Sequence, residues 1–278
     1  MRVGRIPYIN CYPVYGGIDR GVVHLDGELV DGIPSVLNQA MADGALDVSV
    51  ISAVEYARDA ARYLLLPDLA ISCDGPVRSV MLFSRKPAER LDGSRVLVSR
   101  SSMTSVALLR LMFEHVWHAT PAFIPSDAEV ADLERAGRES HDARLIIGDA
   151  ALLLSSGASA LAADYPHVYD LGAVWKDWTG LPFVFAVWVA QRATPVSASL
   201  AVHAQLIQSR DWGLQHLDEL ADQAAASTGV PRPEALAYLS GLDYGLRYEH
   251  LAGLTTFFGK LAASGRVPNG SLAFLPAA

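Results

Sequence analysis

The chain of 278 residues holds two cysteines, Cys11 and Cys73, too few for a disulfide framework and not spaced as a metal-binding set. Both read as free thiols of a reducing compartment. No apolar run reaches the length that crosses a membrane, and no basic-then-apolar leader precedes the first strand pattern, so a cytoplasmic protein is expected. Positive charge is also short: 22 Lys and Arg face 30 Asp and Glu, a formal net charge of -8. That balance argues against nucleic acid or an anionic membrane as partner. An anionic ligand would have to be held by local donors. Charged residues make up 19% and hydrophobic ones 51%, the reverse of a disordered chain, and the length suits one large or two modest domains. Walker loop, dinucleotide-binding glycine fingerprint, nucleophile elbow and HExxH are all missing. His115 and His118 have no second pair to complete a metal site, so the sequence asks for no metal and no cofactor.

What is present is an alternation of strand and helix patterns. Val3 to Ile6 reads as a first strand; Pro7, Asn10 and Pro13 then break the period before a short helix pattern at Val14 and Ile18. Tyr8 and Asn10 therefore stand where a strand hands over to a helix. In open α/β sheets that is where ligands bind, beside helix N-termini that favour anions. Asn10, with two donors and an acceptor, either orients a polar ligand or makes the turn. Val22 to Val30 and Leu46 to Ser52 read as further strands. Ser52 again marks a strand-to-helix crossing, as a helix cap or as a ligand contact. Leu64 to Cys73, interrupted by Pro67, suggests short strands at a sheet edge. Short links between strands and helices suggest a largely parallel sheet.

At the mouth of the strand Val77 to Ser84, Arg78 either pairs with a ligand carboxylate or lies solvated beside Asp74, and Ser79 stands next to it. Composition shifts near Lys86 to Asp92, where a second α/β pattern begins. Arg95 to Ser99 is a strand, and Ser102, Thr104 and Ser105 open the amphipathic helix after it. Hydroxyls at a positive helix end either bind a carboxylate or only cap the helix. Thr120 to Ile124 is a strand, Asp127 to Ala136 a helix, and Ala143 to Ile147 a strand. Gly148 permits close backbone approach, while Asp149 caps the next helix or faces the cleft. A helix closed at Gly180 and an apolar strand through Trp188 lead back to the first lobe. Helical patterns at Ser197 to Ala226, Arg232 to Leu239 and Tyr248 to Ala263 complete the chain. The expected domains are 1–85 with 187–278 as a discontinuous first lobe, and 86–186 as an inserted second lobe.

The segment Arg5-Ile6-Pro7-Tyr8-Ile9-Asn10-Cys11-Tyr12-Pro13-Val14-Tyr15, the strand ending at Ser52, Val77-Arg78-Ser79-Val80, the Ser101 to Ser105 cup and Trp178-Thr179-Gly180-Leu181-Pro182 through Ala186 together resemble the chorismate dehydratases of the futalosine route to menaquinone. The resemblance spans nearly the whole chain. It implies a type II periplasmic-binding-protein-like α/β fold, with two lobes, a ligand cleft between them and C-terminal helices on the first lobe. A sister enzyme forming 1,4-dihydroxy-6-naphthoate shares the Thr-Gly-Leu-Pro segment, but its usual Ser-Pro-Cys-Pro-Asn-Asp opening differs from Ile6 to Asn10 here. A non-catalytic solute-binding module is the rival from another class.

The resemblance implies loss of water from chorismate, a small dianion, to leave 3-[(1-carboxyvinyl)oxy]benzoate. The C3 hydrogen and C4 hydroxyl share a ring face, so anti elimination is unavailable and a stepwise carbanion path is expected. Ser79 and the Ser102, Thr104, Ser105 cup would hold the carboxylates, with Tyr8, Ser52, Arg78, Gly148 and Asp149 as further contacts and Asn10 at the reacting carbons. The base is open between the substrate's enolpyruvyl carboxylate and a protein group, Tyr8 or Asp149. A monomer or a homodimer fits the reading equally.

Overall fold

The structure is a computed structural model that describes residues 1–126, 140–157, 160–268 and 270–276. The expected helix from Asp127 to Ala136 lies outside the described residues. Strands β1 (Arg2–Arg5), β2 (Glu28–Asp31), β3 (Val48–Ser52) and β4 (Tyr63–Cys73) alternate with helices α1 (Tyr12–Asp19), α2 (Pro34–Ala42) and α3 (Ala53–Arg58). The second lobe is built from β5 (Val80–Ser84), β6 (Arg95–Ser99), α4 (Met103–His115), β7 (Ala122–Ser126), β8 (Ala143–Ile147), α5 (Asp149–Ser155), β9 (His167–Asp170) and α6 (Leu171–Thr179). β10 (Phe183–Gln191) is followed by α7 (Val196–Gln215), α8 (Leu217–Thr228), α9 (Arg232–Gly241) and α10 (Tyr248–Ala263).

One five-stranded sheet runs β2-β1-β3-β10-β4 and the other β7-β6-β8-β5-β9. The two orders are the same. Each sheet has parallel pairs at its core and one antiparallel strand, β10 in the first and β5 in the second. Those two strands are the ones that arrive from the other lobe. Both sheets are therefore mixed rather than largely parallel.

This topology moves the expected lobe boundaries. The reading kept Val80 to Ser84 in the first lobe, yet β5 pairs with β8 and β9. The chain crosses between 74 and 79, and returns between 180 and 182 rather than near Phe185 to Trp188. Composition was a poor guide because the Pro- and charge-rich segment at 86–92 is a turn within the second lobe. β3 is buried at every position, as a central strand covered on both faces must be. Pro67 lies in β4, one edge strand with an irregularity in its pairing to β10, where a missing donor is tolerated.

Asp170 sets the geometry near the first crossing. Its carboxylate accepts from Gly172 and Ala173, capping α6, and also from the amides of Val77 and Arg78. A single acceptor thus fixes both the helix start and the turn into β5. Gly180, in the left-handed region with φ 74°, ends α6. The predicted helix from Ser197 to Ala226 is two, broken at His216, whose Nδ1 pairs with the Trp212 carbonyl at 2.7 Å.

The last helices pack mainly on the first lobe. Ser209 on α7 accepts from the Gly17 and Ile18 amides at 3.1 and 3.2 Å. Gly253 on α10 lets its backbone meet the second crossing, because a Cβ there would lie 2.0 Å from the Pro182 carbonyl oxygen. Gly253→Ala is expected to destabilise the protein by about 2 kcal/mol through forced separation of α10 from that turn. Urea denaturation measures it; an unchanged midpoint would mean that the helix shifts without penalty.

Candidate active site

The cleft forms where the carboxyl ends of strands from both lobes face each other. From the first lobe come Ile6, Tyr8 and Asn10 after β1, Ser52 at the end of β3, and Phe185 on β10. The second lobe contributes Ser79 before β5, Ser102 and Ser105 at the start of α4, and Gly148 after β8. The space is about 570 Å³ when the open solvent at its mouth is counted. Among the described residues no lysine, arginine or histidine lines it.

Most of the expected site residues converge here, and several carry more specific geometry than the sequence indicated. Ser52 is 5% exposed and does not cap α3 with its side chain. Its hydroxyl instead accepts from Asn38 Nδ2 at 3.1 Å, and its amide donates to Asn38 Oδ1 at 3.0 Å. Ser79 accepts from the Tyr238 hydroxyl at 2.8 Å, and its carbonyl takes the Gly148 amide at 2.8 Å. Ser102 is both cap and lining residue: its Oγ accepts the Ser105 amide at 3.3 Å and donates to Ser105 Oγ at 2.7 Å. The alternative between cap and ligand contact was therefore not exclusive.

Asn10 sits in a short 3-10 turn, Ile9–Cys11, that joins β1 to α1. Its Oδ1 is buried with no hydrogen-bond partner among the described residues. An orphaned acceptor in a cleft costs about 1–3 kcal/mol in desolvation, so the position makes sense where a ligand supplies the missing donor. Gly148 lies beside it with φ 65°, and a Cβ there would meet the Tyr8 ring at 3.4 Å. Only glycine combines that backbone with that contact.

Three predicted residues do not line the cavity. Arg78 lies between Val77 and Ser79, both of which do, but its backbone is in the left-handed region with φ 63° and its side chain reaches towards α9. Its guanidinium is 3.7 Å from Glu234 with its side chain 47% exposed; Asp74 pairs with Lys176 instead. Arg78→Ala should leave KM within about two-fold and stability within about 1 kcal/mol of the parent, as for an exposed pair. A ten-fold rise in KM would return Arg78 to the site.

Thr104 is rotated about 100° around α4 from the neighbouring Ser105. Its Oγ1 accepts the Val54 amide of α3 at 3.2 Å, a bond between lobes. Asp149 starts α5, and its Oδ1 accepts the Ile9 amide at 3.3 Å, also between lobes. Burial pushes its carboxyl up to about 6, with the Ile9 bond only partly opposing the shift.

Asn38 and Tyr238 were missed in the sequence. Asn38 shares the buried face of α2 with Met41, and an amide on an apolar helical stripe was the available signal. Tyr238 offered none, since its bond to Ser79 spans 159 residues. Trp175 and Trp178 lie away from the cleft: Trp175 is core, donating to the Pro182 carbonyl at 3.2 Å, and Trp178 stacks with His115. Both cysteines are free and buried. Among the described residues no cluster of His, Cys, Asp or Glu could hold a metal.

A family model described as menaquinone biosynthesis matches residues 1–263. A chorismate dehydratase of Thermus thermophilus is 30% identical over 264 residues, which is 90% of this chain and 94% of that one. A chorismate dehydratase of Campylobacter jejuni is 28% identical over 190 residues, 67% of this chain and 66% of that one. Among solved structures, a protein from Archaeoglobus fulgidus superposes with a TM-score of 0.77 at 20% identity, over 96% of this chain and 98% of that one. The periplasmic aliphatic sulphonate binding protein of Escherichia coli gives 0.63 at 15% identity, over 97% and 94%. These structural likenesses show the fold alone. It is the two-lobed, periplasmic-binding-protein-like architecture that the sequence resemblance implied.

Proposed function

The chain belongs to the menaquinone-biosynthesis family, and on that premise we propose that its cleft dehydrates chorismate to 3-[(1-carboxyvinyl)oxy]benzoate. One observation carries the assignment to this cleft: hydroxyl groups surround a single orphaned acceptor, Asn10 Oδ1. The chorismate dianion is the complement of that set, with two carboxylates that only accept and one hydroxyl, at C4, that can donate. Asn10 Oδ1 takes the C4 hydroxyl proton in a hydrogen bond, while the serines take the carboxylates.

The reaction then follows from the substrate's own bonds. The C3 proton passes to the enolpyruvyl carboxylate, and the electron pair of the C3–H bond spreads through the diene to the ring carboxylate. The C4–O bond breaks next, the pair closes a C3–C4 double bond, and the departing hydroxide recovers the proton as water. Aromatisation drives this step. Since the hydrogen and the hydroxyl share one ring face, the carboxyl that removed the proton is placed to return it.

The enzyme's task is to hold the dianion and stabilise the extra charge on the ring carboxylate. Asn10 Nδ2 supports the leaving oxygen as it gains charge. The bonds from Val54 to Thr104 and from Ile9 to Asp149 hold the lobes together around the substrate and limit water. Asp149 does not line the cavity, which weighs against it as the base, whereas Tyr8 does and stays the protein alternative to the substrate carboxylate.

Incubation with chorismate, followed by chromatography with mass detection, tests the proposal. A product lighter by one water and matching the carboxyvinyloxy-benzoate supports it. Binding without turnover would make the cleft a solute-binding site, and turnover only of cyclic de-hypoxanthine futalosine would make this the sister enzyme.

A further inference from the structure

Hydroxyl groups are ambivalent: each donates or accepts, and a cleft for anions needs them to donate. Two of the serines lining this cleft, Ser52 and Ser79, owe their orientation to side chains outside it. Asn38 on α2 is 3% exposed and Tyr238 on α9 is 1% exposed.

The amide of Asn38 can face only one way. The Ser52 backbone N–H, 3.0 Å away, is a donor and requires Oδ1 opposite it. Nδ2 therefore points to Ser52 Oγ at 3.1 Å and to Met103 Sδ of the second lobe at 3.3 Å, both acceptors. With an acceptor site of Ser52 Oγ filled by Nδ2, and no acceptor for its own proton among the described residues, the Ser52 O–H turns into the cavity.

Tyr238 does the same for Ser79. Burial raises the phenol far above its ordinary value, so it stays protonated and donates to Ser79 Oγ at 2.8 Å. That leaves the Ser79 proton for the cleft. Ser105 is a third case made within the lining itself, since Ser102 Oγ donates to it at 2.7 Å.

We propose that Asn38 and Tyr238 are positioning residues that fix Ser52 and Ser79 as hydrogen-bond donors, so that the cleft selects ligands bearing carboxylates over neutral ligands of the same shape. Among the described residues that line the cleft, the selection uses no cation. It rests on the cleft being the substrate site, and it adds what determines the site's polarity.

Asn38→Asp reverses one donor, because a carboxylate accepts from both the Ser52 amide and its hydroxyl and draws the proton out of the cavity. Tyr238→Phe removes the other constraint with the loss of a single oxygen. The readout is calorimetric binding of unreactive 3-(carboxymethoxy)benzoate, a dianion, and of the corresponding neutral diamide, which has N–H donors of its own.

Asn38→Asp should weaken the dianion about 30-fold, the loss of a charge-assisted bond. Tyr238→Phe should weaken it about 5-fold through lost polarisation. The diamide should change less in both, so selectivity falls. With chorismate, Tyr238→Phe should raise KM while kcat stays within about three-fold.

Unchanged dianion binding in a folded variant, equal losses for the two probes, or a parent protein that binds neither probe would each overturn the proposal. If Asn38→Asp does not fold, Tyr238→Phe decides alone. Absence of chorismate turnover alongside the expected selectivity would remove the proposed reaction and leave the donor assignment standing.

Discussion

Asn10→Ala is expected to lower kcat by about 10³-fold, the range seen when a group that stabilises charge at the reacting atoms is deleted, without loss of thermal stability. The two halves of this result have one cause. Asn10 Oδ1 is buried with no hydrogen-bond partner among the described residues, so the folded protein carries the desolvation penalty of that oxygen and gains no bond from it there. Alanine removes the penalty, and the melting temperature should stay level or rise. In the proposed binding mode the same oxygen meets the C4 hydroxyl and the amide nitrogen follows the leaving group, so its removal would be felt in the reaction. Steady-state kinetics and a thermal melt on the same preparation are sufficient. Equal losses of rate and stability would assign Asn10 to the turn between β1 and α1 and not to the chemistry.

Asp149→Asn should do the opposite of what a missing base would do. Burial raises this carboxyl from 3.8 to about 6 in the folded protein, so its charged form is disfavoured on folding. Below about pH 4 both folded and unfolded chains hold the proton, and the group contributes nothing to pH dependence. As pH rises from there through 6 the unfolded chain loses the proton first, and stability declines. At pH 7 the full penalty is about 3 kcal/mol, from roughly 1.4 kcal/mol for each tenfold change in proton affinity.

The asparagine variant is always neutral and retains an oxygen for the Ile9 amide. It should be more stable than the parent at pH 7 by as much as about 3 kcal/mol, an advantage that shrinks as pH falls from 6 to 4. Turnover should persist within about ten-fold if, as proposed, the substrate supplies the base and Asp149 bridges the lobes. Denaturant melts at several pH values, with an assay at each, check both. A folded variant with no turnover would make Asp149 the base.

How much of this was legible in the sequence depended on the range of each interaction. The handover at Tyr8 to Asn10 and the hydroxyl cup before α4 were visible because strand and helix periods change within a few residues of them. Ser52 looked like a cap for the same local reason, but its hydroxyl went to Asn38, 14 residues earlier on another helix. Thr104 was grouped with Ser102 and Ser105 by proximity in the chain, and helical rotation sent it to the opposite lobe.

Arg78 was attractive as a cation near a cleft, yet it sits in a turn with φ 63° and its guanidinium goes to Glu234, a conformation and a partner that no local pattern announces. The lobe boundary failed for a similar reason. Nothing in Val80 to Ser84 says which sheet an apolar strand joins, and only the pairing with β8 and β9 settles it. The resemblance supplied the two-lobed architecture, but no local pattern carries a bond such as Tyr238 to Ser79.

A cleft whose donors are neutral has a distinctive relation to the ions around it. The chain bears a formal charge of -8, and among the described residues no cation lines the cavity to draw a dianion in. Approach is therefore opposed at distances of several ångströms and favoured only once the hydroxyls are in reach. Mobile salt, with a screening length of about 8 Å at physiological strength, weakens the repulsion and leaves the short bonds untouched. Where an arginine-lined pocket loses its long-range pull as ionic strength rises, this one sheds an obstacle, and capture of its substrate quickens in the same medium that slows the other.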